Sequence, residues 1–268
     1  MSAEADARVA ALPSVGAPRA LLHTCRAEWS RLWSVRSTWW FVLATAVAGL
    51  GIGALLATDA ASNPAMEVPE AGAWAGGRFA SMFILFGILA TAVVTTTGDH
   101  ATGGIVPSLQ WTPRRGILLN ARTAVVVGTT SLYALLLVTL TSILVYTVVP
   151  SFGLTLGDGA ATLGGMAWVF VTGTLLAVGL GLLTRSTAGG LVLVIALVLV
   201  LPLLLGNLPF ELAQRIAEVT PGMNVMHLIF EEGPEGMTVT SARVTLVCWA
   251  AGAMLLGGWR LLTRDADR

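Results

Sequence analysis

Residues 163–205 read LGGMAWVFVTGTLLAVGLGLLTRSTAGGLVLVIALVLVLPLLL, with Arg185 as the sole ionisable side chain. A helix needs about 20 apolar residues to cross the hydrocarbon core of a bilayer, so this stretch is long enough to cross twice. Thr184, Arg185, Ser186 and Thr187 stand at its middle and supply a tight turn. Unpaired backbone N–H and C=O groups are not tolerated in lipid, and a hairpin of two helices satisfies them all locally. Leu163–Leu183 and Ala188–Leu205 are therefore read as two spans. Working outward, Trp39–Ala57, Phe79–Thr97 and Ala124–Val148 precede them and Val244–Leu262 follows. The first five of these six runs contain no Asp, Glu, Lys or Arg, and the sixth has only Arg260. The third run is long enough to tilt. The expected fold class is an all-α membrane protein with six transmembrane helices.

Composition agrees. The chain of 268 residues is 55% hydrophobic and 11% charged, with a mean hydropathy of +0.80. Soluble domains carry about 25% charged residues, so a disordered chain is excluded and a water-soluble enzyme disfavoured. Fifteen arginines balance fifteen acids and there is no lysine, so no global field points to a nucleic-acid partner. The arginines do set an orientation. Twelve fall on one side of a six-span topology, namely Arg8, Arg19, Arg26, Arg31, Arg36, Arg114, Arg115, Arg122, Arg185, Arg260, Arg264 and Arg268. Three fall on the other, Arg78, Arg215 and Arg243. Both termini are thus expected in the cytoplasm, with no secretory leader. Cys25 and Cys248 are read as packing residues, not a disulfide or a metal pair.

Residues 1–19 read as a disordered tail. Residues 20–38 read as an amphipathic helix on the cytoplasmic leaflet. Leu22, Cys25, Trp29, Leu32 and Trp33 form its apolar face, with Glu28, Arg31 and Ser34 opposite, facing phosphate or solvent. It is either a plain surface anchor or an elbow that also touches a cytoplasmic partner. The connection 98–121 carries Asp99, His100, Arg114 and Arg115, either as handles for such a partner or, for the two arginines, as topology signals that bind lipid phosphate. On the outer side, Glu211, Gln214, Arg215 and Glu218 fall on one face of a short helix and Phe210, Ala213, Ile216 and Ala217 on another. Pro221-Gly222 is expected to end that helix, and the apolar Met223–Phe230 is too short to span. This segment reads as an extracellular helical cap before the last span.

The catalytic vocabulary is nearly empty. There is no GxxxxGK[ST], HExxH, CxxC or GxSxG, and His23, His100 and His227 fall on separate segments. No catalytic residue, metal or cofactor is expected, and the spans hold no interior acid to carry a proton. Gly49 and Gly53, and Gly173, Ala177 and Gly181, have helix-packing spacing. Thr91, Thr95, Thr96 and Thr97 either bond to their own backbone or line a mildly polar path. Pro202 is expected to kink the fifth span.

The order of parts resembles a known family. Arg36-Ser37-Thr38-Trp39-Trp40 leads into the first span. The second closes in Thr97-Gly98-Asp99-His100-Ala101-Thr102-Gly103-Gly104-Ile105, followed by Leu109 and Pro113-Arg114-Arg115. The chain ends in Gly257-Gly258-Trp259-Arg260-Leu261-Leu262-Thr263-Arg264-Asp265-Ala266. Over residues 20–268 this resembles the ABC-2 type permease subunits of bacterial ABC transporters, departing at Asp99, where the family often has Glu, and at His100, where Tyr is common. The resemblance implies an ABC-2 type transmembrane domain over 39–268, in the bacterial cell membrane. It implies a homodimer, or a heterodimer with a related permease, coupled to separate cytoplasmic ABC ATPase subunits and exporting a substrate. Asp99, His100, Arg114, Arg115, Glu28 and Arg31 would contact the ATPases. Spans two and five would line the path, with Thr91, Thr95, Phe86 and Pro202 as candidates. The alternative is a non-transporting membrane partner, such as an immunity or signalling subunit, on the same fold.

Overall fold

The computed structural model describes residues 16–63, 68–102, 115–231, 233–234 and 236–263, with the backbone alone for 99–102. Among these residues all regular secondary structure is helical and there is no strand. In chain order the helices are α1 (Ala17–Ser34), α2 (Arg36–Ser62), α3 (Trp74–Thr102), α4 (Arg115–Val148), α5 (Leu156–Thr184), α6 (Thr187–Gly206), α7 (Glu211–Glu218), α8 (Pro221–Phe230) and α9 (Val239–Thr263). A single 3₁₀ turn, Pro150–Phe152, lies between α4 and α5. Six of them, α2, α3, α4, α5, α6 and α9, are long and apolar enough to cross a membrane, which fits a multi-pass membrane protein.

Each spanning helix overruns the apolar run that announced it, because helix continues through turns whose residues are polar. α4 begins nine residues before Ala124 and takes in Arg122. α5 begins at Leu156, where the Thr155 hydroxyl accepts from the Asp158 amide at 3.2 Å and Asp158 sits favourably in the first turn. The hairpin turn falls where the sequence placed it. Arg185 adopts a left-handed conformation (φ 54°), its N–H bonds to the Gly181 carbonyl, and Ser186 caps α6.

α5 is the central helix. It packs against α9, α3, α4 and α6, and Met166, Val169, Phe170 and Val178 interleave there with Ile84, Leu85, Ile88 and Leu89 of α3 and Val126 and Val138 of α4. Glycine sets how closely the backbones approach. A Cβ on Gly179 would lie 2.5 Å from the Ala253 carbonyl carbon of α9, and one on Gly257 would strike the Gly179 carbonyl. Gly173 and Gly181 of the expected seam face α3, where an added Cβ would lie 3.2–3.4 Å from Leu85, Thr96 and Thr97, a less tight approach than the one at α9. Gly49 and Gly53 do make a packing seam, the first against Ile84 and the second against Thr141.

Two elements depart from the sequence reading. The amphipathic segment stops at Ser34, and Val35 is extended (φ −90°, ψ 123°), so residues 36–38 open α2. The Trp39 indole donates to the Trp33 carbonyl at 3.1 Å and satisfies the freed end of α1. Further along, Pro221-Gly222 starts a helix as well as following one: Thr220 caps α8 and Pro221 takes its first position. The apolar face of α7 is also narrower than its pattern, with Ala213 and Ala217 buried and Phe210 and Ile216 exposed.

Candidate functional site

Ionisable side chains gather at one end of the bundle, where α1, the start of α2, the end of α3, the start of α4, the α5–α6 turn and the end of α9 meet. Glu28 is the centre of the first cluster. It is 7% exposed although it lies on α1, and its neighbour on that stripe, Leu32, is buried too. Arg122 of α4, 3% exposed, grips its carboxylate with two bonds, Nε to Oε2 at 3.2 Å and Nη2 to Oε1 at 3.1 Å. Arg31, one turn further along α1, donates from Nε to Oε2 at 3.0 Å and from Nη2 to the Thr95 carbonyl of α3 at 3.2 Å. Three helices are thereby tied, the Glu28 carboxylate joining α1 to α4 and the Arg31 guanidinium joining α1 to α3. A paired guanidinium fork suits burial, whereas removal of one partner strands a charge at a cost of about 3–5 kcal/mol.

This arrangement corrects the reading of α1. Glu28 and Arg31 turn onto α3 and α4 and not toward phosphate or solvent, while Leu22 and Trp29 of the apolar face are outermost. Arg122 escaped the sequence reading, which counted it only for orientation. The signal was its position two residues ahead of the apolar run from Ala124, inside the helix that the run extends.

A second cluster fastens the ends of α5 and α9. Arg260 donates from Nη1 to the Leu183 carbonyl, Arg185 donates from Nη2 to the Arg260 carbonyl at 3.0 Å, and Arg115 reaches the Leu261 carbonyl at 3.5 Å. Guanidinium groups at helix C-termini also meet the negative end of the helix dipole. Of the other candidates, Asp99 and His100 occupy the last turn of α3, with side chains outside the described residues, and Arg114 lies outside them altogether.

Of the four proposed lining residues, Phe86, Thr91 and Thr95 lie on α3 and Pro202 lies on α6. Thr91 donates to the Gly87 carbonyl and Thr95 to the Thr91 carbonyl, both at 2.8 Å. Thr96 and Thr97 likewise bond back to Ala92 and Val93. The hydroxyls therefore serve their own helix, the plainer of the two sequence readings, and Thr97 alone also meets α6, at Thr187 (2.7 Å). Phe86 is half-buried against the core. Pro202 is buried near the opposite end of the bundle, directly after a π-helical turn, Ala196–Val200. The place where a kink is expected thus carries a π turn as well as a proline.

That opposite end is held differently. A Cβ on Gly222 of α8 would collide with the Val198 carbonyl of the π turn and the Pro202 ring. The Trp249 indole of α9 donates to the Val219 carbonyl at 2.7 Å. Arg78 of α3 bonds the Ile229 carbonyl (3.1 Å) and Glu231 (2.8 Å), beside a Phe79–Phe230 edge contact. The α7 surface pair, Arg215 and Glu211, stands 4.0 Å apart, almost fully exposed, and adds little. Among the described residues no group of three His, Cys, Asp or Glu side chains is placed to hold a metal. No protein-family model and no curated protein matches the chain.

Proposed function

We propose that the chain is the permease subunit of an ATP-driven ABC transporter, an exporter working as a dimer, with hydrolysis in separate cytoplasmic ATPase subunits. In this reading it sits in the bacterial cell membrane with both termini in the cytoplasm, α1 is the elbow helix, and α7 and α8 cap the outer mouth. The carboxylate clamp is the observation that carries the reading. Glu28, Arg31 and Arg122 tie α1 to α3 and α4, the two helices that bracket residues 103–114. A partner pressing on that connection, or on α1, moves both spans together instead of being absorbed by a loose surface helix. A driven permease needs such a joint, because a push does work only if the two access states differ in the contacts they make.

Asp99, His100, Arg114 and Arg115 are the ATPase contacts in this scheme, while Glu28 and Arg31 act from behind by holding α1 in place. The test is to isolate the tagged chain from its native membranes in mild detergent and identify what accompanies it. An ABC ATPase is expected, with Asp99→Asn and the Arg114→Glu/Arg115→Glu double variant retaining membrane insertion but losing its binding or turnover. Unchanged transport in those variants counts against the coupling role. A stable ATPase complex that moves no substrate points to the non-transporting partner instead.

A further inference from the structure

Two of the helices that do not span, α1 and α7, are seated alike. In α1 the stripe through Glu28 and Leu32 is buried against the bundle. At about 3.6 residues per turn, Leu22 and Trp29 stand roughly a quarter-turn round from that stripe, and both are exposed. Arg19 and Arg26 lie beyond them, nearly opposite the buried stripe, and are exposed too. α7 repeats the pattern. Ala213 and Ala217 are buried, Leu212 and Ile216 are exposed on one flank, and Glu211, Arg215 and Glu218 take the far side. Each helix thus turns one side to protein, an apolar flank to whatever lies beside the bundle, and a charged back outward.

The surroundings of α1 place that flank at a membrane border. α1 joins α2 through the single extended residue Val35, so it ends where a span begins. Trp29, Trp33 and Trp39 form a run of ring contacts there, with centroids 5.7 and 5.0 Å apart, and Trp40 is exposed beside them. Tryptophan favours the border between headgroups and hydrocarbon. The charges of the two helices differ. Glu28, the only acid in α1, is buried and held by Arg122 and Arg31, so α1 shows the outside Arg19 and Arg26, with Arg36 exposed at the start of α2. α7 carries two glutamates and one arginine.

We propose that α1 is a recognition surface for anionic phospholipid. Leu22 and Trp29 enter the acyl border, Arg19, Arg26 and Arg36 engage acidic headgroups, and α7 rests in lipid on the same plan without that preference. A basic face alone would also suit an acidic protein; the apolar flank and the tryptophans beside it name a bilayer as the occupant. The inference needs the bundle to span a membrane and does not need it to transport.

The experiment places the full-length chain in nanodiscs of phosphatidylcholine and phosphatidylglycerol in equal parts. Separate samples are doped with one or the other lipid, each carrying the same diazirine near the ester end of one chain. After photolysis, mass spectrometry gives the adduct yield on residues 17–36 and on residues 211–219. A guanidinium at an anionic surface is worth about fivefold in equilibrium preference. The ratio of phosphatidylglycerol to phosphatidylcholine adducts should therefore be several-fold higher on α1 than on α7. Arg19→Gln/Arg26→Gln/Arg36→Gln should bring the two ratios together while labelling of α7 persists, which also reports an intact bundle. Salt at about 1 M, where the screening length falls to about 3 Å, should do the same to the native chain. Leu22→Gln/Trp29→Gln should instead lower labelling of α1 by both lipids alike. Equal ratios on the two helices of the native chain, or a preference that survives the triple variant, overturns the proposal. An α1 that neither lipid labels is covered by protein, and overturns it as well.

Discussion

The two arms of one hairpin, α5 and α6, are packed in opposite ways. α5 has a mean hydropathy of 2.0 over its most apolar window and is 72% buried there, whereas α6 reaches 2.9 and is 22% buried. The more apolar arm is the one on the outside. In water the reverse would hold, but between helices in lipid there is no hydrophobic force to exploit, and closeness of packing decides what lies at the centre. α5 is central because Gly173, Thr174, Ala177, Gly179 and Gly181 give it a thin waist that four neighbours can approach. α6 turns Val192, Ile195, Leu203 and Leu204 outward, and its looser setting accommodates the extra residue of a π turn at 196–200.

Substitutions can break this contrast, starting at the waist. Gly179→Leu forces α5 away from Ala253 and Gly257 and should cost roughly 5 kcal/mol, enough to abolish a monodisperse, thermally cooperative protein in detergent. A folded variant would show that the crossing is not what centres α5. Glu28→Ala extends the test to buried charge. It removes the carboxylate that Arg122 and Arg31 share inside the bundle and should cost roughly 3 kcal/mol, read as a fall in thermal midpoint, while a compensating Glu28→Leu/Arg122→Met pair should recover most of the loss. Gly222→Ala pushes a methyl group into the Val198 carbonyl and should cost about 1–3 kcal/mol. Its signature is faster amide exchange confined to residues 196–206 and 219–224, since α8 braces the π turn. Leu204→Ala, on the outer face of α6, should change stability by no more than about 0.5 kcal/mol. A larger effect there would mean that this face is covered by protein and not by lipid.

The same contrast explains what could be read from the chain. Six apolar runs and the Arg185 turn were legible because lipid imposes length and hydropathy on any spanning helix, whichever way it faces. The helix over Glu211–Glu218 was legible from its charge spacing. Burial was not, since hydropathy reports contact with lipid and the centre is built from residues that look unremarkable in a line. Gly179 could not be told from the other glycines of α5, because its role is set by Ala253 and Gly257, far along the chain. Arg122 was hidden for a related reason: an arginine beside a span looks like a topology signal until the carboxylate of Glu28 is placed against it. Thr91 and Thr95 read equally as path residues or as hydroxyls bonded to their own helix, and the structure shows the second of these, each finding the carbonyl four residues back.

The proposed division of labour, a passive membrane gate with its motor in another molecule, is tested most directly by hydrolysis in reconstituted vesicles. The chain purified alone should turn over no ATP above the empty-vesicle background, and turnover should appear, with substrate movement, only when the co-isolated ATPase is added. Hydrolysis by the chain alone, or substrate movement with the ATPase absent, would contradict it.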